Sequence, residues 1–83
     1  MRFKKCLKVD FYALGQEHFV FMDPQEKTMG QLLEELNKLV AQIYTTAKVV
    51  QIESVQVSSR EFKDNNISKI HDWISQVSIY NKD

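Results

Sequence analysis

A long stretch with helical periodicity is the feature that most constrains how this chain can fold. Between Thr28 and Ala47, apolar side chains recur at the three- and four-residue spacing that places them on one side of an α-helix. The sequence therefore predicts one long amphipathic helix whose apolar side packs against another element. Its apolar positions are Met29, Leu32, Leu33, Leu36, Leu39, Val40, Ile43, Tyr44 and Ala47.

The start of this helix carries its own signal. Thr28 is a good N-cap residue, and Gln31 three positions later completes a capping-box pattern. Pro24 lies just upstream and separates the helix from the preceding segment.

Two segments before the helix alternate in the manner of β-strands. From Phe3 to Ala13, apolar and polar residues take opposite parities, with Lys5 as the one misfit. A turn signal at Gly15-Gln16 precedes a second apolar run from His18 to Met22. The sequence predicts an antiparallel hairpin.

The length of the hairpin loop decides which side chains are buried. A two-residue Gly15-Gln16 loop pairs Phe11 with Val20 and buries Val20 and Met22. Phe19, Phe21 and Tyr12 then share the other face with Lys4 and Lys8. A three-residue loop reverses this arrangement and buries Phe19 and Phe21 beside Phe11. The sequence leaves both alternatives open.

The rest of the chain predicts a third strand and a second helix. Residues 48–57 are rich in β-branched residues, and a change of parity indicates either a bulge near Glu53-Ser54 or two short strands. Residues 58–66 are polar and predict a loop. An apolar stripe then predicts a helix beginning near Asn66 and running to about Val77, although residues 76–80 also alternate like a strand.

These elements predict an α+β fold of order ββαβα within a single domain, residues 1–83. A small antiparallel sheet packs on one long amphipathic helix in two layers, accompanied by a shorter C-terminal helix. A chain of 83 residues buries only about 60% of its unfolded surface. Homodimerisation through a sheet edge or through the second helix is therefore compatible with its size.

Residues able to support catalysis are few and scattered. His71 and Asp72 are adjacent in sequence and point apart on a helix. Cys6 and His18 lie on neighbouring strands, but a nucleophilic pair also needs a pocket and oxyanion donors. One cysteine and two histidines do not make a zinc site, and two glycines cannot form a phosphate-binding loop. We expect no enzymatic activity, no metal and no cofactor.

Composition limits the class of protein and the compartment that the sequence predicts. The formal net charge is zero, with 11 basic and 11 acidic residues, which argues against a dedicated nucleic-acid-binding protein. A single cysteine excludes an intrachain disulfide. Lys8 and Asp10 interrupt the only segment that resembles a signal peptide, and no apolar run is long enough for a membrane span. We expect a cytoplasmic protein without membrane contact.

One group of residues nevertheless suggests a binding surface. Under the two-residue loop, aromatic and basic side chains share one sheet face, an arrangement that binds single-stranded nucleic acid by stacking and phosphate contacts. The alternative is that the last helix covers these aromatic residues through Trp73. The candidate partner-binding residues are Arg2, Lys4, Lys8, Tyr12, Phe19, Phe21, Trp73 and Tyr80.

Taken together, these features predict a small non-catalytic protein that binds another macromolecule. A protein partner is favoured, and an accessory, adaptor or inhibitor of bacterial or phage type would suit the size and the neutral charge. Trp73 and Tyr80 are residue types that often anchor protein interfaces. The alternative is a single-stranded nucleic-acid-binding domain that uses the N-terminal hairpin.

Overall fold

The computed structural model describes residues 2–80, and their side chains up to residue 77. Its centre is an antiparallel sheet of three strands in the order β2-β1-β3. The strands are β1 Phe3–Ala13, β2 Gln16–Met22 and β3 Lys48–Ser58, and the helices are α1 Met29–Val40, α2 Ser59–Asp64 and α3 Ser68–Tyr80. The predicted α+β class and the order ββαβα are confirmed, with one additional short helix before the last one.

The hairpin turn consists of Leu14 and Gly15, one residue earlier than predicted. Both residues have positive φ angles, 55° and 80°, which give a two-residue turn whose twist matches that of the strands. Phe11 consequently pairs with His18 and not with Val20. Because the shift is two residues, every side chain keeps the face that a two-residue loop predicts. The alternative three-residue loop is wrong.

The two sides of the sheet carry different kinds of side chain. The inner face carries the apolar residues of the main core, and the outer face is the opposite side. Paired residues of antiparallel strands share a face. Inner-face residues include Leu7, Val9, Phe11, Ala13, Val20, Met22, Val49 and Ile52. Outer-face residues include Lys4, Cys6, Lys8, Asp10, Tyr12, Glu17, Phe19, Phe21, Lys48, Glu53, Val55 and Val57.

Helix α1 begins as predicted but is shorter than predicted. The Thr28 side chain accepts from the Gln31 N–H, and the Gln31 side chain accepts from the Thr28 N–H, at 3.2 Å and 3.1 Å. The helix ends at Val40, and the chain then turns back so that the Val49 N–H donates to the Asn37 side chain at 2.7 Å. A helix continued through residue 47 would carry the chain about 10 Å past Val40, out of reach of that bond. The prediction of one long helix is wrong.

Tight turns after Val40 still bring the next apolar residues into the core. The N–H groups of residues 42 and 43 bond three residues back, a spacing that keeps an approximately helical path. Ile43 and Ala47 are therefore buried at 2% and 7% exposure. Three other members of the predicted stripe are exposed, namely Met29, Leu33 and Tyr44.

Strand β3 alternates regularly where a bulge was predicted. Its pairing with β1 shifts register opposite Asp10 and Phe11, which places the bulge at residues 49–51 and not near Glu53-Ser54. From residue 51 to residue 58 the alternation is unbroken. Ile52 faces inward, and Val55 and Val57 face outward. Apolar residues occur on both faces of β3 because helices pack on both sides of this strand.

Helix α2 occupies the segment predicted as a loop. Ser58 caps it by accepting the Glu61 N–H at 3.1 Å, so the sequence Ser-x-x-Glu was a missed helix-start signal. The chain then crosses the outer face and reaches the β2 edge. There the Phe21 N–H donates to the Asn65 carbonyl at 2.9 Å, and the Asn65 side chain donates to the Phe19 carbonyl at 2.9 Å. We call residues 65–66 the edge clasp.

Helix α3 packs on the inner face through Ile70 and Trp73. Asn66 accepts the Ser68 N–H at 2.9 Å, as expected of a residue at the helix start. The helix continues to Tyr80, beyond the predicted end near Val77, and the alternative strand at residues 76–80 is wrong. Ile70 is 1% exposed and joins the main core. The expectation that this helix covers the outward aromatic residues is also wrong, since Trp73 contacts Phe11.

Candidate interaction surface

The outer face of the sheet is covered at one end and open at the other. At the end crossed by α2, Cys6 and Phe21 are buried, with 1% and 5% exposure. At the end nearest the hairpin turn, Tyr12 and Phe19 are 41% and 44% exposed. No described helix lies over these two rings, and we call them the aromatic patch.

The two rings of the patch lie close together on neighbouring strands. Tyr12 pairs with Glu17, and Phe19 pairs with Asp10, which makes the two rings diagonal neighbours on the outer face. Diagonal residues are about 7–8 Å apart at their Cα atoms, within reach of aromatic side chains. The two rings are therefore near neighbours on the same exposed face.

The ring of Phe19 is held in place although it is exposed. It makes an edge-to-face contact with Phe21 at a centroid distance of 5.5 Å. The Lys8 ammonium lies 5.0 Å from the centre of the Phe19 ring. The edge clasp bonds to the Phe19 carbonyl. A side chain ordered before binding loses less conformational entropy when a partner covers it.

Two lysines of the outer face are paired with acids of the same chain. Lys4 lies 2.8 Å from the Asp23 carboxylate, and Lys8 lies 3.8 Å from the Asp10 carboxylate. The paired positions of the three strands bring three lysines and three acids to this face: Lys4, Lys8, Lys48, Asp10, Glu17 and Glu53. The surface around the aromatic patch is thus close to electrically neutral.

The structure brings together only part of the predicted set of binding residues. Lys4, Lys8, Tyr12 and Phe19 share the outer face. Phe21 shares it too, but it is buried beneath the segment that leads to the edge clasp. Arg2 is exposed at the start of β1, where its carbonyl accepts the Ser59 N–H. The side chain of Tyr80 lies outside the described residues.

Trp73 belongs to the core side of the molecule. Its ring lies 6.2 Å from Phe11 and 4.6 Å from His18, measured between ring centres. His18 stacks on Phe11 at 5.5 Å, and its Nε2 atom is buried without a hydrogen-bond partner among the described residues. The three rings close the hairpin end of the inner face, so the Trp73 ring packs against the core and not on the outer face.

Cys6 and His18 do not form a reactive pair. Cys6 lies on the outer face, and His18 lies on the inner face toward the other end of the hairpin. They also line different cavities, one of about 400 Å³ beside Ser54 and one of about 160 Å³ beside Trp73. Burial raises the pKa of the Cys6 thiol, while nearby Lys4 opposes this rise. A buried, protonated thiol is a poor nucleophile.

The described residues contain no cluster of three metal-ligating side chains, His, Cys, Asp or Glu. Within the same part of the chain, no helix has both the length and the apolar character needed to cross a bilayer.

Sequence reasoning missed the acids that neutralise the lysines. Asp10 follows Lys8 by two residues on the same strand, so alternation alone places the two on one face. Asp23 follows β2 and reaches Lys4 only because of the hairpin register. The first acid was thus recognisable from the sequence, whereas the second depended on the turn.

Comparison of the chain with protein-family models, with curated proteins and with solved structures finds no match.

Proposed function

We propose that this chain is a small non-catalytic protein that binds another protein through the aromatic patch. The observation that supports this is the exposure of Tyr12 and Phe19 as neighbours on a face where Lys4 and Lys8 are each paired with an acid of the same chain. Aromatic residues surrounded by a balanced polar rim are typical of protein interfaces. The same surface would suit an accessory, adaptor or inhibitor in the cytoplasm.

Charge decides between the two classes of macromolecule. Nucleic-acid binding gains most of its affinity when cationic side chains release counterions from phosphates. Lys4 and Lys8 would first have to leave Asp23 and Asp10. A protein partner can use the rings without breaking these pairs, which is why the neutral patch favours protein.

The test is a site-specific crosslinking experiment in the native cell. A photoreactive phenylalanine analogue replaces Phe19 in one sample and Tyr44 in a matched control. Tyr44 is a similarly exposed aromatic residue, with 52% exposure, in the connection after α1. We expect one dominant protein adduct from position 19, resistant to nuclease and to high salt, and none from position 44. Equal adducts from both positions would contradict the proposal.

A second candidate function uses the same residues. Tyr12 and Phe19 are exposed, and the Lys8 ammonium lies over the Phe19 ring, which are the elements of a stacking platform for single-stranded nucleic acid. This candidate predicts that an oligothymidine binds with steep salt dependence. Weaker binding by both Phe19→Ala and Lys8→Ala would then establish it in place of the protein partner.

A further inference from the structure

The two edges of the sheet, a surface other than the aromatic patch, differ in whether the chain itself covers them. The β2 edge is covered by the chain itself, through the edge clasp at Phe21. In the described part of the chain, β3 pairs only with β1, so its outer edge has no strand partner. Near its start the Val49 N–H is bonded by Asn37. From residue 52 to residue 58, no backbone group of β3 is hydrogen-bonded to a side chain of α1.

Strand β3 lacks the residues that usually protect an exposed edge. Monomeric proteins guard a long edge strand with lysine, proline or a charged residue pointing inward. Between Val49 and Ser58 there is neither lysine nor proline, and Glu53 is the only charged residue. The protective bulge lies at residues 49–51, which leaves the following seven residues regular. An edge of this kind is suited to pairing with another strand.

We propose that two copies of this chain pair through β3, antiparallel about a twofold axis at Val55, to form a continuous six-stranded sheet. Val55 is the midpoint of the regular segment 52–58, so this register gives the longest pairing that avoids the bulge. In this register Ser54 lies opposite Gln56 of the partner copy, and Glu53 lies opposite Val57 of the partner copy. Each pair lies on one face of the combined sheet.

Charge and burial make this edge complementary to a second copy of itself. A register centred on Glu53 would set two carboxylates against each other, whereas the Val55 register opposes no like charges. Val55 and Val57 are half-buried on the outer face, and pairing would bring four valines together across the dimer axis. Helix α2 leads from β3 toward β2, away from the edge, so it leaves the segment accessible.

The test measures association of the full chain by analytical ultracentrifugation from about 1 µM to about 500 µM, a range that spans weak and tight dimers. We expect the wild type to form a dimer. Two double variants, S54K/Q56K and S54E/Q56E, place like charges opposite one another twice in the proposed register. Each is expected to remain a monomer at all these concentrations. An equimolar mixture is expected to form a dimer containing one chain of each kind.

The control is Q42K/Q76K, which adds the same charge at exposed positions away from β3 and should dimerise like the wild type. Circular dichroism checks that each variant is folded. Hydrogen exchange of the wild type supplies a test without substitutions, since amides in residues 52–58 should gain protection as the concentration rises. A monomeric wild type, a dimer insensitive to both double variants, or a mixture that stays monomeric would each overturn the proposal.

Discussion

The inner and outer faces of the sheet show how one small sheet divides its tasks. The inner face is apolar along most of its length, and α1 and α3 cover it together. The outer face carries charged and aromatic residues, and only a six-residue helix crosses it. In the described part of the chain, no polar or charged residue is buried. The difference indicates that the inner face stabilises the fold, while the outer face is available for contacts.

The largest effect is expected at the hairpin end of the inner face. Phe11 is 1% exposed and contacts both His18 and Trp73. Its replacement by alanine leaves a cavity among rigid neighbours, so Phe11→Ala should lower the free energy of unfolding by about 3–5 kcal/mol. Urea denaturation followed by tryptophan fluorescence measures this loss. A loss below about 1 kcal/mol would show that the inner face is not the principal core.

Two adjacent residues of β2 allow the faces to be compared directly. Val20 is 3% exposed on the inner face, and Phe19 is 44% exposed on the outer face. Val20→Ala should cost about 2 kcal/mol of stability, since it removes fully buried apolar surface. Phe19→Ala removes the larger side chain but should cost less than about 1 kcal/mol. Thermal melts of both variants give the comparison, and a reversed order would contradict the assignment of the faces.

Cys6 tests whether the end crossed by α2 is well covered. Burial raises the pKa of this thiol in the folded protein, so the folded state holds the proton more tightly than the unfolded state. The resulting stabilisation is present below the thiol's ordinary pKa and is lost as the pH rises through the folded value. The wild type should therefore lose stability relative to Cys6→Ala as the pH rises above the ordinary thiol pKa of about 8.5. Parallel pH profiles of the two proteins would show that this end is open to water.

The smallest effect concerns the ion pairs of the outer face. Lys4→Ala removes the pair with Asp23 and the contact over the Phe62 ring, and it should cost about 0.5–1 kcal/mol. Lys38→Ala is a matched control because its pair with Glu34 is highly exposed, and it should cost no more than about 0.5 kcal/mol. Urea titrations at low and high salt measure both. A larger loss for the control would mean that Lys4 contributes no packing.

The sequence by itself determined the element types and most of the inner core. Alternation in β1 and the stripe of α1 depend on local spacing, and the burial of Leu32, Leu36 and Ile43 follows from that spacing even where the helix is replaced by turns. The capping box of α1 was equally local. The same rule could have found α2, since its Ser-x-x-Glu start is written in the chain.

Only the tertiary structure decided the features on which the aromatic patch and the open edge depend. The positive φ of Leu14 goes with the observed hairpin register, and the chain after α1 turns back so that β3 bonds to Asn37. The packing of α3 on the inner face left Tyr12 and Phe19 exposed. The last two features depend on contacts between residues far apart in sequence. Such contacts are decided by competition between whole packing arrangements, which local periodicity does not encode.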